Sequence, residues 1–347
     1  MLPATQLYPG CLFTPLPLIK EAADPRIWED HAIVVSSPQP LSGHTFSSVP
    51  LTDWRMDEAA LRPILLITAR LNRVHRLHPI ESQSLAPSFG DSFTHSLRPL
   101  ANSDVQDWRR FLEQITHCAG ISSFQLRSDR SWVGAASPLE AGLVCPSIAR
   151  VPHQMEDLMS FLADHLDNRN GQVDEAAAFQ FLSIHPLHDG NGRAVRSLLI
   201  KMSSRKKSPY PLYIAWRLMF DKIGLIRSWQ EGPRSGGTSF DENHYMQWRQ
   251  TGSSIGKAYL DAAAAGCDTR ALDCVTAFGE LSPAGICAMN GTTSRGLCTK
   301  IISKHEDCKY TRLYSETLLS LVQRIRKDST WGEEISVQTM QIQGRPR

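Results

Sequence analysis

The stretch His185-Pro186-Leu187-His188-Asp189-Gly190-Asn191-Gly192-Arg193-Ala194-Val195-Arg196 decides how the rest of the chain is understood. It joins two helical patterns. From Asp174 to Ile184 the sequence is a strong helix former with three alanines at its centre, and His185-Pro186 ends it, because a residue before proline is driven out of the helical region. A second helix is expected from about Gly192 to Ser203. The polar loop between them ends in Gly190 and Gly192, which let the backbone approach an anion closely. It opens directly into a helix N-terminus, with its unpaired N–H groups and positive dipole end.

Those parts make a phosphate cradle. Asn191 offers a side-chain amide to a phosphate oxygen. Arg193 and Arg196 stand three apart, share a helix face and suit the distal phosphates of a di- or triphosphate. Asp189 is a lone carboxylate beside the cradle, and Mg²⁺ commonly takes one or two protein carboxylates together with phosphate oxygens. His185 stands at the loop entrance with an imidazole suited to general-base work near neutral pH. The expected chemistry is proton removal from an incoming hydroxyl that attacks a phosphorus held in the cradle. No Walker A lysine motif, kinase motif set or G-x-S-x-G elbow occurs.

Around this motif the chain is ordinary. Its 347 residues allow about two domains. With 41% hydrophobic and 21% charged residues and a net charge of +2, it is neither disordered, fibrous nor a polycation. No apolar run approaches the ~20 residues that span a bilayer. Met1 to Lys20 lacks a cationic start and is broken by prolines, so it is not read as a signal peptide, and a cytoplasmic chain without membrane contact is expected. Eight cysteines without C-x-x-C spacing are read as reduced thiols, mostly buried. His305 with Cys308 is too little for zinc.

The expected fold class is mainly α with one small β-hairpin. Residues 1–56 are expected as an irregular arm, partly ordered on the body. Helices are expected at 57–76, from Ser103-Asp104 to Cys118, at 152–166 ending on a left-handed Asn170-Gly171, and at 211–223, 242–264 and 268–280. A Ser-rich loop separates the first two. Phe124 to Ala136 is expected as two short strands around a polar turn. Asp167 to Gly171 fails as a calcium loop, since its first and last ligand positions would be Leu166 and Ala177.

The central stretch resembles the Fic family signature H-P-F-x-(D/E)-G-N-G-R-x-x-R at every fixed position but one, where Leu187 replaces Phe. Phe179, Phe181 and Ile184 precede it as in that family, and Arg127–Ala136 falls where the family's flap hairpin lies. The resemblance covers about residues 100–260. It implies a helical Fic core over 57–265, with ATP as co-substrate, Mg²⁺ as cofactor and transfer of AMP to a Ser, Thr or Tyr hydroxyl of a protein, including the chain itself. His185 would be the base and Asp189 the Mg²⁺ ligand. Gly190, Asn191 and Gly192 would form the anion hole, with Arg193 and Arg196 on the distal phosphates. The flap would pin the target protein by strand addition. Leu187 is expected to keep the apolar contact of the missing Phe with less volume.

The family's inhibitory pattern, (S/T)-x-x-x-E-(G/N), is not matched. Glu81 is a degenerate candidate to pair with Arg196, and a separate inhibitor protein is the alternative. Residues 266–327 are expected as a C-terminal helical module of winged-helix type, with a helix-turn-helix rhythm at 281–305. Between 295 and 327 eight Lys/Arg face three acids, which fits DNA phosphates. Residues 328–347 form a polar tail. A DNA-binding regulator on a Fic body, and a transferase using another nucleotide donor, are the alternatives to protein AMPylation.

Overall fold

A computed structural model describes residues 13–16, 35–38, 41, 55–74, 90–121, 123–128, 131–133, 143–222, 225, 242–279, 281–290, 295–306, 310 and 313–320. The elements, in chain order, are β1 (Phe13–Leu16), β2 (Val35–Pro38), α1 (Glu58–Val74), α2 (Gly90–Leu97) and α3 (Trp108–Cys118). They continue with β3 (Trp132–Val133), β4 (Leu143–Val144), α4 (Val151–His165), α5 (Gly171–Ile184), α6 (Asn191–Lys206) and α7 (Tyr210–Phe220). The series closes with α8 (Glu242–Ala264), α9 (Thr269–Phe278), α10 (Pro283–Asn290) and α11 (Arg295–Glu306). The described residues are mostly helical, as expected.

The core is built around α5 and α6. Every residue of α5 is buried, and α6 is buried along most of its length. A helix that is enclosed all round must be surrounded by other helices. Accordingly, α6 packs against α1, α2, α3, α5 and α7. The charged groups that enter this interior are matched. Lys206 pairs with Asp174, both fully buried, and the Tyr210 hydroxyl donates to Glu175. Trp216 donates its indole N–H to Thr68 Oγ1 at 2.8 Å, tying α7 to α1.

Helix α1 lies between the signature helix and the C-terminal helices. Helix α8 crosses α1 at glycines. A Cβ on Gly256 would stand 2.8 Å from the Ala60 carbonyl oxygen, and one on Gly252 would stand 3.2 Å from Ile64 Cδ1. Helix α9 also packs on α1, where Asp273 accepts from Arg62 Nη2 at 2.6 Å and from the Tyr259 hydroxyl at 2.8 Å. Helices α10 and α11 follow α9 and pack on it. Of the expected Asn290-Gly291 turn, Asn290 is the last residue of α10 and Gly291 lies outside the described residues.

Several expectations need correction. Helix α2 replaces the end of the Ser-rich loop. Asp104 does not open α3; its carboxylate accepts from Ala101 N–H at 2.9 Å and closes a short 3₁₀ turn over Asn102–Val105. The N-cap of α3 is Asp107, which accepts from Arg109 and Arg110 N–H. Asn170 is not a left-handed stop for α4. It has φ −66° and ψ 119°, and its side chain caps α5 by accepting from Gln172 N–H. Within the arm, β1 pairs antiparallel with β2, and Leu41 is buried with its N–H on the Asp157 carboxylate at 2.9 Å.

The two runs expected to pair as a hairpin take other partners. Leu126 bridges to Leu187 in the signature loop. Trp132–Val133 pairs with Leu143–Val144, in the register Trp132 to Val144. Residues 129–130 and 134–142 lie outside the described residues, as do Glu81 and the tail 328–347.

The glycine crossing gives a direct test of the packing. Gly256→Val places side-chain atoms against the rigid backbone of α1, and such overpacking costs roughly 1–3 kcal/mol. Equilibrium denaturation should show that loss, while an exposed substitution such as Ser253→Ala on the same helix should leave the midpoint within error.

Candidate active site

The signature loop begins with an unusual backbone. His185 ends α5 in the left-handed conformation, φ 50° and ψ 56°. For a side chain branched beyond Cβ this costs roughly 1–2 kcal/mol, and such residues persist only when their surroundings over-determine them. Here the surroundings do so. His185 N–H donates to Phe181 O at 3.0 Å. The buried guanidinium of Arg127 donates through Nε to His185 O at 2.8 Å, and through Nη2 to Ile184 O at 3.3 Å and to Pro146 O. The Arg127 backbone N–H donates to Pro186 O at 3.1 Å, and His188 N–H donates to Gln125 O at 3.0 Å. Residues 125–127 thus run as a short antiparallel rail beside 186–188.

Arg127 was expected as the first residue of the target-docking flap. The structure places it beneath the signature loop, 4% exposed, where it holds that loop's carbonyls. Burial lowers its pKa from the usual arginine value, but the group stays cationic at neutral pH.

The loop is clasped from its far end as well. Asn191 Oδ1 accepts from Leu187 N–H at 2.9 Å and Asn191 Nδ2 donates to Leu187 O at 2.8 Å. The buried Asn191 amide is therefore committed to the loop. The side-chain amide expected to face a phosphate is thus bonded to the loop, and the residue's backbone N–H lies in the first turn of α6. Leu187 itself is 1% exposed, part of the core as expected for the position of the family's Phe. His188 is exposed.

Gly190 is the N-cap of α6, with φ +86° and no side chain to cap the helix. A Cβ there would sit 2.4 Å from Ile121 Cδ1, so both conformation and space call for glycine. With no capping side chain, the first-turn N–H groups of Asn191, Gly192 and Arg193 face an open pole where an anion is favoured.

Charged groups flank that pole. Asp189 is exposed, its carboxylate 3.5 Å from Arg193 Nη2 in a loose pair. Such a pair at the surface is weak, so both groups are available to a ligand. Arg196 is different. It is 5% exposed, and its Nε donates to Asn72 Oδ1 at 2.7 Å. Asn72 in turn donates to Arg193 O and to Ser197 Oγ, each at 3.0 Å. One amide from α1 thereby fixes the guanidinium of Arg196 and the first turns of α6. The two arginines share a helix, but only Arg193 is half-exposed.

Sequence reasoning missed Asn72 and the stapling role of Arg127. Asn72 had a signal, since it falls on the helix face of Leu65 and Thr68, where a polar group inside an apolar stripe needs a buried partner. Arg127 had none; its partners are backbone carbonyls 57 or more residues away, or from the loop before α4.

His185 Nδ1 lies 3.2 Å from Leu182 O. A carbonyl can only accept, so Nδ1 carries the proton and Nε2 keeps its lone pair. Burial pushes the pKa of His185 down from 6.5 to about 4, with smaller contributions from the positive charges of Lys222 and Arg127; the Leu182 carbonyl and Asp189 oppose the shift. The imidazole is neutral at pH 7 and able to take a proton. Since the unfolded chain protonates this histidine near 6.5, stability present above that pH is lost as pH falls toward about 4.

The staple predicts a coupled result. Arg127→Met leaves three carbonyls without their donor, so it should lower stability by about 2–4 kcal/mol. It should also raise the His185 titration midpoint toward 6.5, measured by the imidazole proton shifts in NMR, because a nearby positive charge is gone and the ring is better hydrated. An unchanged His185 midpoint in a folded Arg127→Met protein would remove Arg127 from this role.

The chain has no match among curated proteins. The model of the Fic/DOC family matches residues 106–203, which span α3, the rail at 125–127, α4, α5, the signature loop and most of α6. The loop, its histidine and its two arginines lie inside that match, so residues 106–203 of the chain are similar to the Fic domain of the Fic/DOC family.

Proposed function

We propose that the chain is a Fic-type transferase that moves AMP from ATP onto a hydroxyl of a protein. Members of the family are typically transferases. The observation that supports the finer reading is the juxtaposition of the His185 ring, its Nδ1 turned to Leu182 O, with the uncapped start of α6. One supplies a proton acceptor and the other a fixed anion pole.

In this reading the first-turn N–H groups of α6 and the Arg193 side chain bind the phosphate chain. Arg196 meets the distal phosphates from its bond to Asn72. His185 Nε2 accepts the proton of the target hydroxyl as its oxygen bonds to the α-phosphorus and pyrophosphate leaves with the bond's electron pair. The negative phosphate chain raises the basicity of the imidazole on binding, since an adjacent anion favours the protonated ring. The staple by Arg127 keeps His185 in register with the pole, an orientation effect that is a large share of many rate enhancements.

Mg²⁺ fits the residues present. Asp189 is one exposed carboxylate beside the pole, and the described residues contain no cluster of three or more His, Cys, Asp or Glu that would form an all-protein cage. One carboxylate plus phosphate oxygens is a common way to hold this ion, which when bound offsets the phosphate charge. The target would lie on the segment following Arg127, by strand addition.

The test uses the full chain with Mg²⁺, a lysate as target pool, and ATP labelled at the α- or the γ-phosphate. Label from the α-phosphate alone should reach protein, and His185→Ala should abolish it, a loss of at least ~10²-fold for a general base, while nucleotide binding persists. Arg196→Ala should weaken binding of the triphosphate more than of AMP. Label from the γ-phosphate, or transfer that survives His185→Ala, would overturn the assignment.

A further inference from the structure

Two cysteines of the C-terminal helices stand apart from the site. Cys287 on α10 and Cys298 on α11 have their Sγ atoms 2.8 Å apart. That is well inside the ~3.5–4.0 Å at which even two non-bonded carbons rest, and closure to a covalent sulfur–sulfur bond (~2.0 Å) is a shift of under ~1 Å, within side-chain rotation. Cys298 is fully buried, whereas Cys287 is half-buried and reachable from solvent. The other described cysteines differ. Cys118, Cys145, Cys267 and Cys274 are all buried, and among the described residues Cys274 has its Sγ on Ser282 O at 3.9 Å.

We propose that Cys287 and Cys298 are a redox pair that forms a disulfide between α10 and α11 by exchange with a small-molecule disulfide. The accessible thiol acts first. Cys287 loses its proton to solvent, and its sulfur attacks one sulfur of the external disulfide R–S–S–R. The S–S bond breaks and R–S⁻ leaves, to be protonated as the first R–SH. The buried Cys298 then loses its proton, attacks Cys287 Sγ, and expels the second R–S⁻. Two protein thiols are oxidised, one external disulfide is reduced to two thiols, and the protons balance. The order follows from burial: Cys298 cannot meet the external reagent but touches Cys287. Burial and the neighbouring Cys287 also hold the Cys298 thiol at about 11, so it is slow to attack until the mixed disulfide makes the step intramolecular.

The pairing would fix α10 to α11. Helix α10 also packs on α2 and α9, so the bond would tie the C-terminal helices together where they meet the body.

The experiment exposes the reduced full chain to oxidised glutathione, blocks remaining thiols by alkylation, unfolds, alkylates again with a second mass tag, digests with trypsin and reads the peptides by mass. Cleavage after Arg295 and Lys300 separates Cys298 from Cys287. The expected result is those two peptides joined, two hydrogens lighter than the pair of thiols and separated again by dithiothreitol. Fragmentation should place the link at Cys287 and not at Cys274. Cys298→Ser should stall with glutathione on Cys287, and Cys287→Ser should leave Cys298 to the second tag. A wild-type chain that keeps both thiols, stalls at the mixed disulfide, or joins Cys274 instead would overturn the proposal. None of these outcomes depends on the transferase reading.

Discussion

The grip of the Arg127 guanidinium on the carbonyls of Ile184, His185 and Pro146 is the interaction on which the site depends. Two buried helices, α5 and α6, must be joined by a short loop that turns the chain while leaving its polar backbone satisfied. The loop does so with two left-handed residues, His185 and Gly190. Glycine takes that conformation freely and histidine does not. A charged donor with a forked geometry can satisfy several carbonyls at once, and here it converts a strained end of α5 into a single fixed one. Asn191 performs the same service for Leu187 from the opposite side.

Chemistry follows from this immobilisation. A histidine at the end of a frayed helix would sample many orientations and would be hydrated. Held in the left-handed state and half-buried, it is neutral, with one ring nitrogen engaged and the other available. The arginines divide the work in the same spirit. Arg193 stays at the surface in a weak pair with Asp189, whereas Arg196 is buried and aimed by Asn72, so one is adaptable and the other preorganised.

The helical body and the signature were legible because both are local. Apolar spacing marks α1, α4 and α5, and the glycines and arginines of the loop stand in a contiguous run. What was not legible depends on which of several possible partners, near or distant, a residue takes. The strand-like run at 124–127 was recognised as extended, but its partner was set by the loop at 186–188. Periodicity within 124–136 carries no information about that pairing. Asp104 and Asp107 are equally plausible caps in a sequence, and only the turn at Ala101 decides between them. Asn170-Gly171 could stop one helix or start the next, and the side chain of Asn170 chose the second by bonding to Gln172. The Asn191 amide bonds to Leu187, four residues back, a partner that the sequence does not single out.

Helix α1 has a mechanical consequence. Near its start, Arg62 is held by Asp273 of α9, and near its end Asn72 holds Arg196. At ~1.5 Å of rise per residue the two points are about 15 Å apart on one stiff rod. The rod is anchored at both ends and braced at its middle by the Thr68–Trp216 bond. The contacts that aim the Arg196 guanidinium therefore reach beyond the family match at 106–203, to α1 and through it to α7 and α9.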